Sequence, residues 1–183
     1  MNMKNQKVLL LAMSLVLIFS AGIFAAETTF VSQVDYSGVF DFEPISSDNI
    51  LIEYDAVAKA EFIDGVMAFV GSDVVPAHWR DLSIISRMVN GIVDARNGGT
   101  YSAENNLAFV PGETYHFKYI VDMKAKTYDL FVTTPEKQEV QIAKDYAFRA
   151  DGPLPSDLGK FFMRCQYGEG NVIVTNMKIT EIK

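Results

Sequence analysis

Cysteine, histidine and tryptophan are nearly missing: one Cys, two His and one Trp in 183 residues. A lone Cys165 excludes an intrachain disulfide, so stability must come from packing. With only His78 and His116, a three-histidine zinc centre is excluded and a Ser-His-Asp triad has little to draw on. Glycine at 12 and proline at 6 are too few for a collagen-like or low-complexity chain. Positive charge is also short. Sixteen Lys and Arg face 23 Asp and Glu, a net charge of -7 that excludes the electrostatic footprint of a nucleic-acid binder. No glycine-rich phosphate loop, HExxH, CxxC or EF-hand spacing occurs, nor any pectin- or alginate-lyase motif. Long helical periodicity is absent too. What remains is 49% hydrophobic and 12% aromatic, a composition that leans toward strands.

The N-terminus carries an address. Lys4 and Lys7 precede an apolar run from Val8 to Phe19. Small residues follow at Ala21, Gly22, Ala25 and Ala26, and the first acid is Glu27. This layout predicts a secretory signal peptide over residues 1–26, cut after Ala25 or Ala26, and a single domain over 27–183. A retained signal anchor is the alternative, though the run is near the lower limit for a span. No second apolar run of spanning length exists. The expected product is extracellular or periplasmic, without stable membrane insertion after cleavage.

Short β-branched and aromatic runs, punctuated by turn residues, fill the rest. Strands are predicted at 50–56, 57–63, 66–71, 82–89, 92–96, 114–122, 127–134, 139–143, 160–167 and 172–182. Only 76–80 and 155–158 tolerate a helical turn. Asp64-Gly65 and Asn90-Gly91 both read as type I′ hairpin turns. The first would pair Phe62 with Met67 and Ala60 with Phe69, giving a core face. The second pairs Val89 with Ile92, Met88 with Val93, Arg87 with Asp94 and Ser86 with Ala95. Ile84, Ser86, Met88, Val93 and Ala95 then point inward, while Arg87, Asp94 and Arg96 share the other face. Along 114–122, Tyr115, Phe117, Tyr119 and Val121 are the inward set. The fold class expected is an all-β, two-sheet antiparallel sandwich or barrel.

Several motifs narrow this further. Asp94-Ala95-Arg96-Asn97-Gly98-Gly99-Thr100-Tyr101 is followed by Gly112-Glu113-Thr114-Tyr115-His116-Phe117-Lys118-Tyr119-Ile120-Val121-Asp122. Lys126-Thr127-Tyr128-Asp129-Leu130-Phe131-Val132 and Asp145-Tyr146-Ala147-Phe148-Arg149 come next. Together, over 45–182, they resemble the concanavalin A-like (laminin-G-like) jelly-roll domains of secreted bacterial polysaccharide-degrading proteins. The resemblance implies a jelly-roll sandwich with a curved sheet face where glycans bind, usually as an accessory to a catalytic module. It leaves structural Ca²⁺ open, with Asp35, Asp41, Glu43, Asp48 and Asp73 as available ligands but no spacing that singles them out. No other cofactor is expected.

Two clusters carry chemistry. Glu53 and Asp55 lie two apart on a strand, about 6.5–7 Å along one face, whereas a retaining glycosidase needs carboxyls about 5–5.5 Å apart. Laminarinase-type enzymes of similar fold carry Glu-x-Asp-x-x-Glu, but Ala58 stands where the last Glu would be. A solvated strand face is the better reading, and no catalytic residue is assigned. The stronger candidate is a ligand-binding face of Arg87, Asp94 and Arg96, edged by Trp79 or Tyr101. Opposed charges across strands contribute only about 0.2–1 kcal/mol, so stability alone gives little reason to cluster them. A guanidinium held by Asp94 presents planar donors to sugar hydroxyls or a uronate carboxylate, and sugar C–H faces stack on aromatic rings. The function expected is a secreted, non-catalytic carbohydrate-binding domain that recognises a polysaccharide or oligosaccharide, acidic or neutral, on its concave sheet face, with the face of Arg87, Asp94 and Arg96 taken as the concave one. The alternatives are a small glycan-active hydrolase or lyase of the same fold, and an envelope structural or adhesive protein.

Overall fold

The structure is a computed structural model that describes residues 29–32, 37–168 and 170–182. The expected signal peptide at 1–26 and Asp35 lie outside the described residues. Twelve strands and one short 3₁₀ turn make up the described fold. They are β1 (Phe30–Val31), β2 (Gly38–Ile45), β3 (Asn49–Ala58), β4 (Ile63–Val70), β5 (Ile84–Val89), β6 (Ile92–Asn97) and β7 (Thr100–Ala108). After these come β8 (Tyr115–Asp122), β9 (Thr127–Thr133), β10 (Glu139–Ala147), β11 (Leu158–Gly168) and β12 (Val172–Glu181). One sheet has the order β1-β12-β3-β8-β9-β10 and the other β2-β11-β4-β5-β6-β7. Neighbours are antiparallel throughout. The all-β, two-sheet sandwich expected from the sequence is what forms.

Period-2 patterning explains the layers. Ile50, Ile52, Tyr54, Ala56 and Ala58 of β3 face the core, as do Tyr115, Phe117, Tyr119 and Val121 of β8. Met67, Phe69, Phe161 and Met163 meet them from the other sheet. Each large side chain buried this way stabilises the fold by roughly 1.5–3 kcal/mol. Hydroxyls cross the same core. Tyr54 Oη lies 2.8 Å from Tyr119 Oη, and Tyr119 donates to Ser86 Oγ at 2.6 Å. Tyr128 donates to the Arg96 carbonyl at 2.6 Å and to that of Ile85 at 3.2 Å. These bonds satisfy the buried hydroxyls and fix β5 and β6 against the opposite sheet.

The Asn90-Gly91 hairpin forms in the expected register. Both residues have positive φ, 48° and 81°, as a type I′ turn requires. Val89 faces Ile92, Met88 faces Val93, Arg87 faces Asp94 and Ser86 faces Ala95. The Asp64-Gly65 expectation fails. Those residues lie inside β4, where Gly65 pairs with Met88 on one side and Cys165 on the other. Here glycine serves a close approach, because a Cβ on Gly65 would stand 2.3 Å from Val172 Cγ2. The chain crosses between sheets before β4 rather than folding back beside β3, since the two strands belong to different sheets. Phe62, expected in the core, is instead 70% exposed. The strands expected at 50–56 and 57–63 are a single β3. Three strands went unpredicted: the two-residue β1, β2 with its Pro44, and the largely polar edge strand β7.

All eight residues of β4 are buried. The outer face of its sheet is covered by the connection from β4 to β5, which carries the 3₁₀ turn Trp79–Asp81. Val66, Ala68, Val70, Leu82, Ile85 and Phe162 form a second apolar cluster there, with Val74, Trp79 and Tyr101 packed against it. The sandwich therefore has a partial third layer. The candidate site lies beside it.

Candidate functional site

Cross-strand register builds the site. Arg164 of β11 pairs with Val66 of β4, Val66 with Arg87 of β5, and Arg87 with Asp94 of β6. One strand further, Arg96 pairs with Tyr101 of β7. All point away from the sandwich core, because their neighbours in sequence point into it.

Asp94 grips Arg87 with two bonds, from Nε to Oδ1 at 2.9 Å and from Nη2 to Oδ2 at 2.6 Å. Nη1 of Arg87 lies 3.7 Å from Asp64 Oδ1. Burial works to lower the Arg87 pKa, but Asp94 and Asp64 outweigh it and push the net value up. The guanidinium carbon sits 3.5 Å from the centroid of the Tyr101 ring, with that of Arg96 at 5.0 Å. Burial raises the Tyr101 phenol against the lowering pull of both guanidiniums. Asp64 has its carboxyl pushed up by burial, partly countered by Arg87. Trp79 touches Phe162 edge-on at 6.0 Å, and the Arg164 guanidinium lies 5.4 Å from its ring.

A cleft of about 270 Å³ opens among these groups, lined by Asp64, Val66, Trp79, Arg87, Arg96, Tyr101, Arg149 and Gln166. Trp79 is shared with an adjoining cleft of about 200 Å³ bearing Phe162 and Arg164. Four of the five residues expected from the sequence, Trp79, Arg87, Arg96 and Tyr101, thus line one cleft, and the fifth, Asp94, is bonded to Arg87. Sequence reasoning missed Asp64, Arg149, Arg164 and Gln166. Asp64 was hidden by being read as a turn. The other three become neighbours only through sheet pairing and the return of the chain after β10. One signal was available: the chain has five arginines, and four of them, Arg87, Arg96, Arg149 and Arg164, lie at these clefts.

The fold itself has known counterparts. Lectin II from Ulex europaeus superposes with a TM-score of 0.56 at 9% identity, covering 86% of this chain and 85% of that one. Lectin I-B4 from Griffonia simplicifolia gives 0.54 at 7% identity, covering 88% and 95%. The fold is the concanavalin A-like jelly roll. In sequence, a gellan lyase from Bacillus sp is 30% identical over 111 residues, which is 60% of this chain. The chain spans 4% of that relative's length. No protein-family model matches the chain.

On the opposite face of the jelly roll, Glu53 and Asp55 share one side of β3, as expected. His116 of β8 stands between them, with Nδ1 2.8 Å from Asp55 Oδ1 and Nε2 3.5 Å from Glu53 Oε1. Asn176 donates to Asp55 Oδ2 at 2.8 Å. They border a groove of about 1400 Å³ that also exposes Asp41, Glu43, Phe40 and Phe42. The two faces therefore differ in character, one rich in arginine and the other in carboxylate. Among the described residues no group of three or more His, Cys, Asp or Glu could hold a metal ion. No described helix is long and apolar enough to cross a membrane.

Proposed function

We propose that this chain is an exported, non-catalytic carbohydrate-binding domain, and that Trp79, Tyr101, Arg87, Asp94 and Arg96 form its ligand-binding surface. The observation that carries this reading is the convergence of two aromatic rings and several guanidiniums on one cleft. Tyr101 is braced by Arg87, which Asp94 immobilises, so the ring is held without loss of rotamer freedom on binding. Trp79 supplies a second apolar surface, and Arg96 and Arg149 supply planar donors at the wall. The jelly-roll fold and the local likeness to a gellan lyase support a carbohydrate partner. The N-terminal pattern supports export to the periplasm or medium.

Trp79 is the only tryptophan, so its fluorescence reports directly on this cleft. Titrating a glycan panel should quench or shift that emission for at least one ligand, and Tyr101→Ala and Arg96→Ala should weaken binding while circular dichroism is unchanged. A glycan bound equally well by parent and both variants would place the site elsewhere. One observation favours a second reading, a glycan-active enzyme: His116 links Glu53 and Asp55 above the open groove on the other face. Release of reducing ends from a bound polysaccharide, lost in His116→Ala, would establish it; binding without turnover supports the module.

A further inference from the structure

A carboxylate outside the cleft lining bonds to two of its arginines. Asp151 sits on the turn after β10, its side chain 58% exposed, and it reaches back to the cleft wall. Arg149 donates to it twice, from Nε to Oδ1 at 2.7 Å and from Nη2 to Oδ2 at 3.1 Å. Arg96 Nη2 stands 3.8 Å from the same Oδ1. The two arginine side chains are mostly covered, Arg149 being 10% and Arg96 12% exposed. The Arg96 guanidinium is tied by its Nε to the Gly98 carbonyl at 3.0 Å, while the Arg149 main chain is anchored by its N–H to the Ser83 carbonyl at 2.9 Å and its guanidinium is held by Asp151. An exposed acid thus bridges two mostly covered cations that also face the cleft.

We propose that Asp151 stands in for a ligand carboxylate, and that the cleft takes an acidic sugar, a uronate, whose carboxylate replaces Asp151 between Arg149 and Arg96. The inference rests on the carbohydrate-binding reading above and names its substrate class. Arg is suited to this exchange because its fork matches either carboxylate equally well. An exposed ion pair contributes little, so displacing Asp151 costs little. A neutral sugar gains nothing at this position. In a chain of net charge -7, an anionic polymer is otherwise repelled, so selectivity has to come from a local cluster such as this one.

Trimers of galacturonate, glucuronate and mannuronate, each beside its methyl ester, serve as probes, read by Trp79 fluorescence and calorimetry. Asp151→Asn removes the competing charge from a solvent-exposed position and leaves the fold intact. It should tighten binding of at least one free-acid trimer about two- to fivefold, the worth of an exposed ion pair, and leave its ester unchanged. Arg149→Gln should weaken the same acid about tenfold. If Asp151→Asn changes acid and ester equally, or changes neither, the stand-in role is overturned while neutral-glycan binding at Tyr101 leaves the broader reading in place. If no acid, ester or neutral glycan binds the parent or Asp151→Asn, both readings fall together.

Discussion

At the scale of single residues, burial sets the chemistry of the titratable groups. Asp64 is held near Arg87, yet its Oδ1 has no hydrogen bond among the described residues, and its pKa is raised. A raised carboxyl binds its proton more tightly folded than unfolded. Its contribution to stability is therefore full below the ordinary aspartate value of about 3.9 and declines as pH rises through the folded value. Asp64→Asn should accordingly stabilise the protein at neutral pH and show no gain at pH about 3, measured as the difference in denaturant midpoint at the two pH values. Cys165 is fully buried, donates to the Tyr167 carbonyl at 3.3 Å, and has its thiol pushed up by burial. The expected outcome is that a thiol reagent labels it only upon unfolding; prompt modification of the native protein would contradict the packing described.

At the scale of elements, two glycines hold neighbours close where a side chain cannot fit. A Cβ on Gly65 would meet Val172 across the core, so Gly65→Ala should cost about 1–3 kcal/mol by overpacking. Gly152 matters for the site. A Cβ there would stand 1.6 Å from the Arg80 carbonyl oxygen, which means the turn bearing Asp151 rests directly on the turn bearing Trp79. Gly152→Ala must push these turns apart. The expected result is a drop in melting temperature at least as large as that of Gly65→Ala together with altered Trp79 emission, whereas the same substitution at Gly99, where a Cβ meets nothing within 4 Å, should leave both unchanged.

At the scale of the whole molecule, tyrosine hydroxyls tie the two sheets together behind the site. Tyr128→Phe would strip the Arg96 carbonyl of its partner across the core, at about 1 kcal/mol, or about 2–4 °C in melting temperature for a domain of this size. Because that carbonyl belongs to Arg96, ligand affinity should fall with it. Burial raises the Tyr54, Tyr119 and Tyr128 phenols; the contact between Tyr54 and Tyr119 raises Tyr54 further and partly offsets the rise at Tyr119. A raised phenol contributes stability that is fully present below the unfolded value of about 10 and is lost as pH climbs past it. Alkaline unfolding should therefore begin above pH about 10, with tyrosinate absorbance and loss of circular dichroism appearing together.

The all-β class, the Asn90-Gly91 register, the inward face of β8 and the shared face of Arg87, Asp94 and Arg96 were all readable from the chain. Each depends on interactions within one strand or across one tight turn, where a period of two and a positive-φ dipeptide leave a single solution. Asp64-Gly65 carried the same local signal and meant something else, because packing against Val172 rather than backbone reversal demanded the glycine. Short, polar or proline-bearing edge strands such as β1, β2 and β7 carry too little periodicity to declare themselves. Which residues complete the cleft was decided only in three dimensions. Trp79, Arg149 and the β11 residues Arg164 and Gln166 come from three separate stretches of the chain, and they meet because antiparallel pairing sets β11 beside β4 and the turns at 79–81 and 150–152 rest on each other over the outer sheet. Local preference specifies a strand; the meeting of distant strands depends on which faces must be buried together.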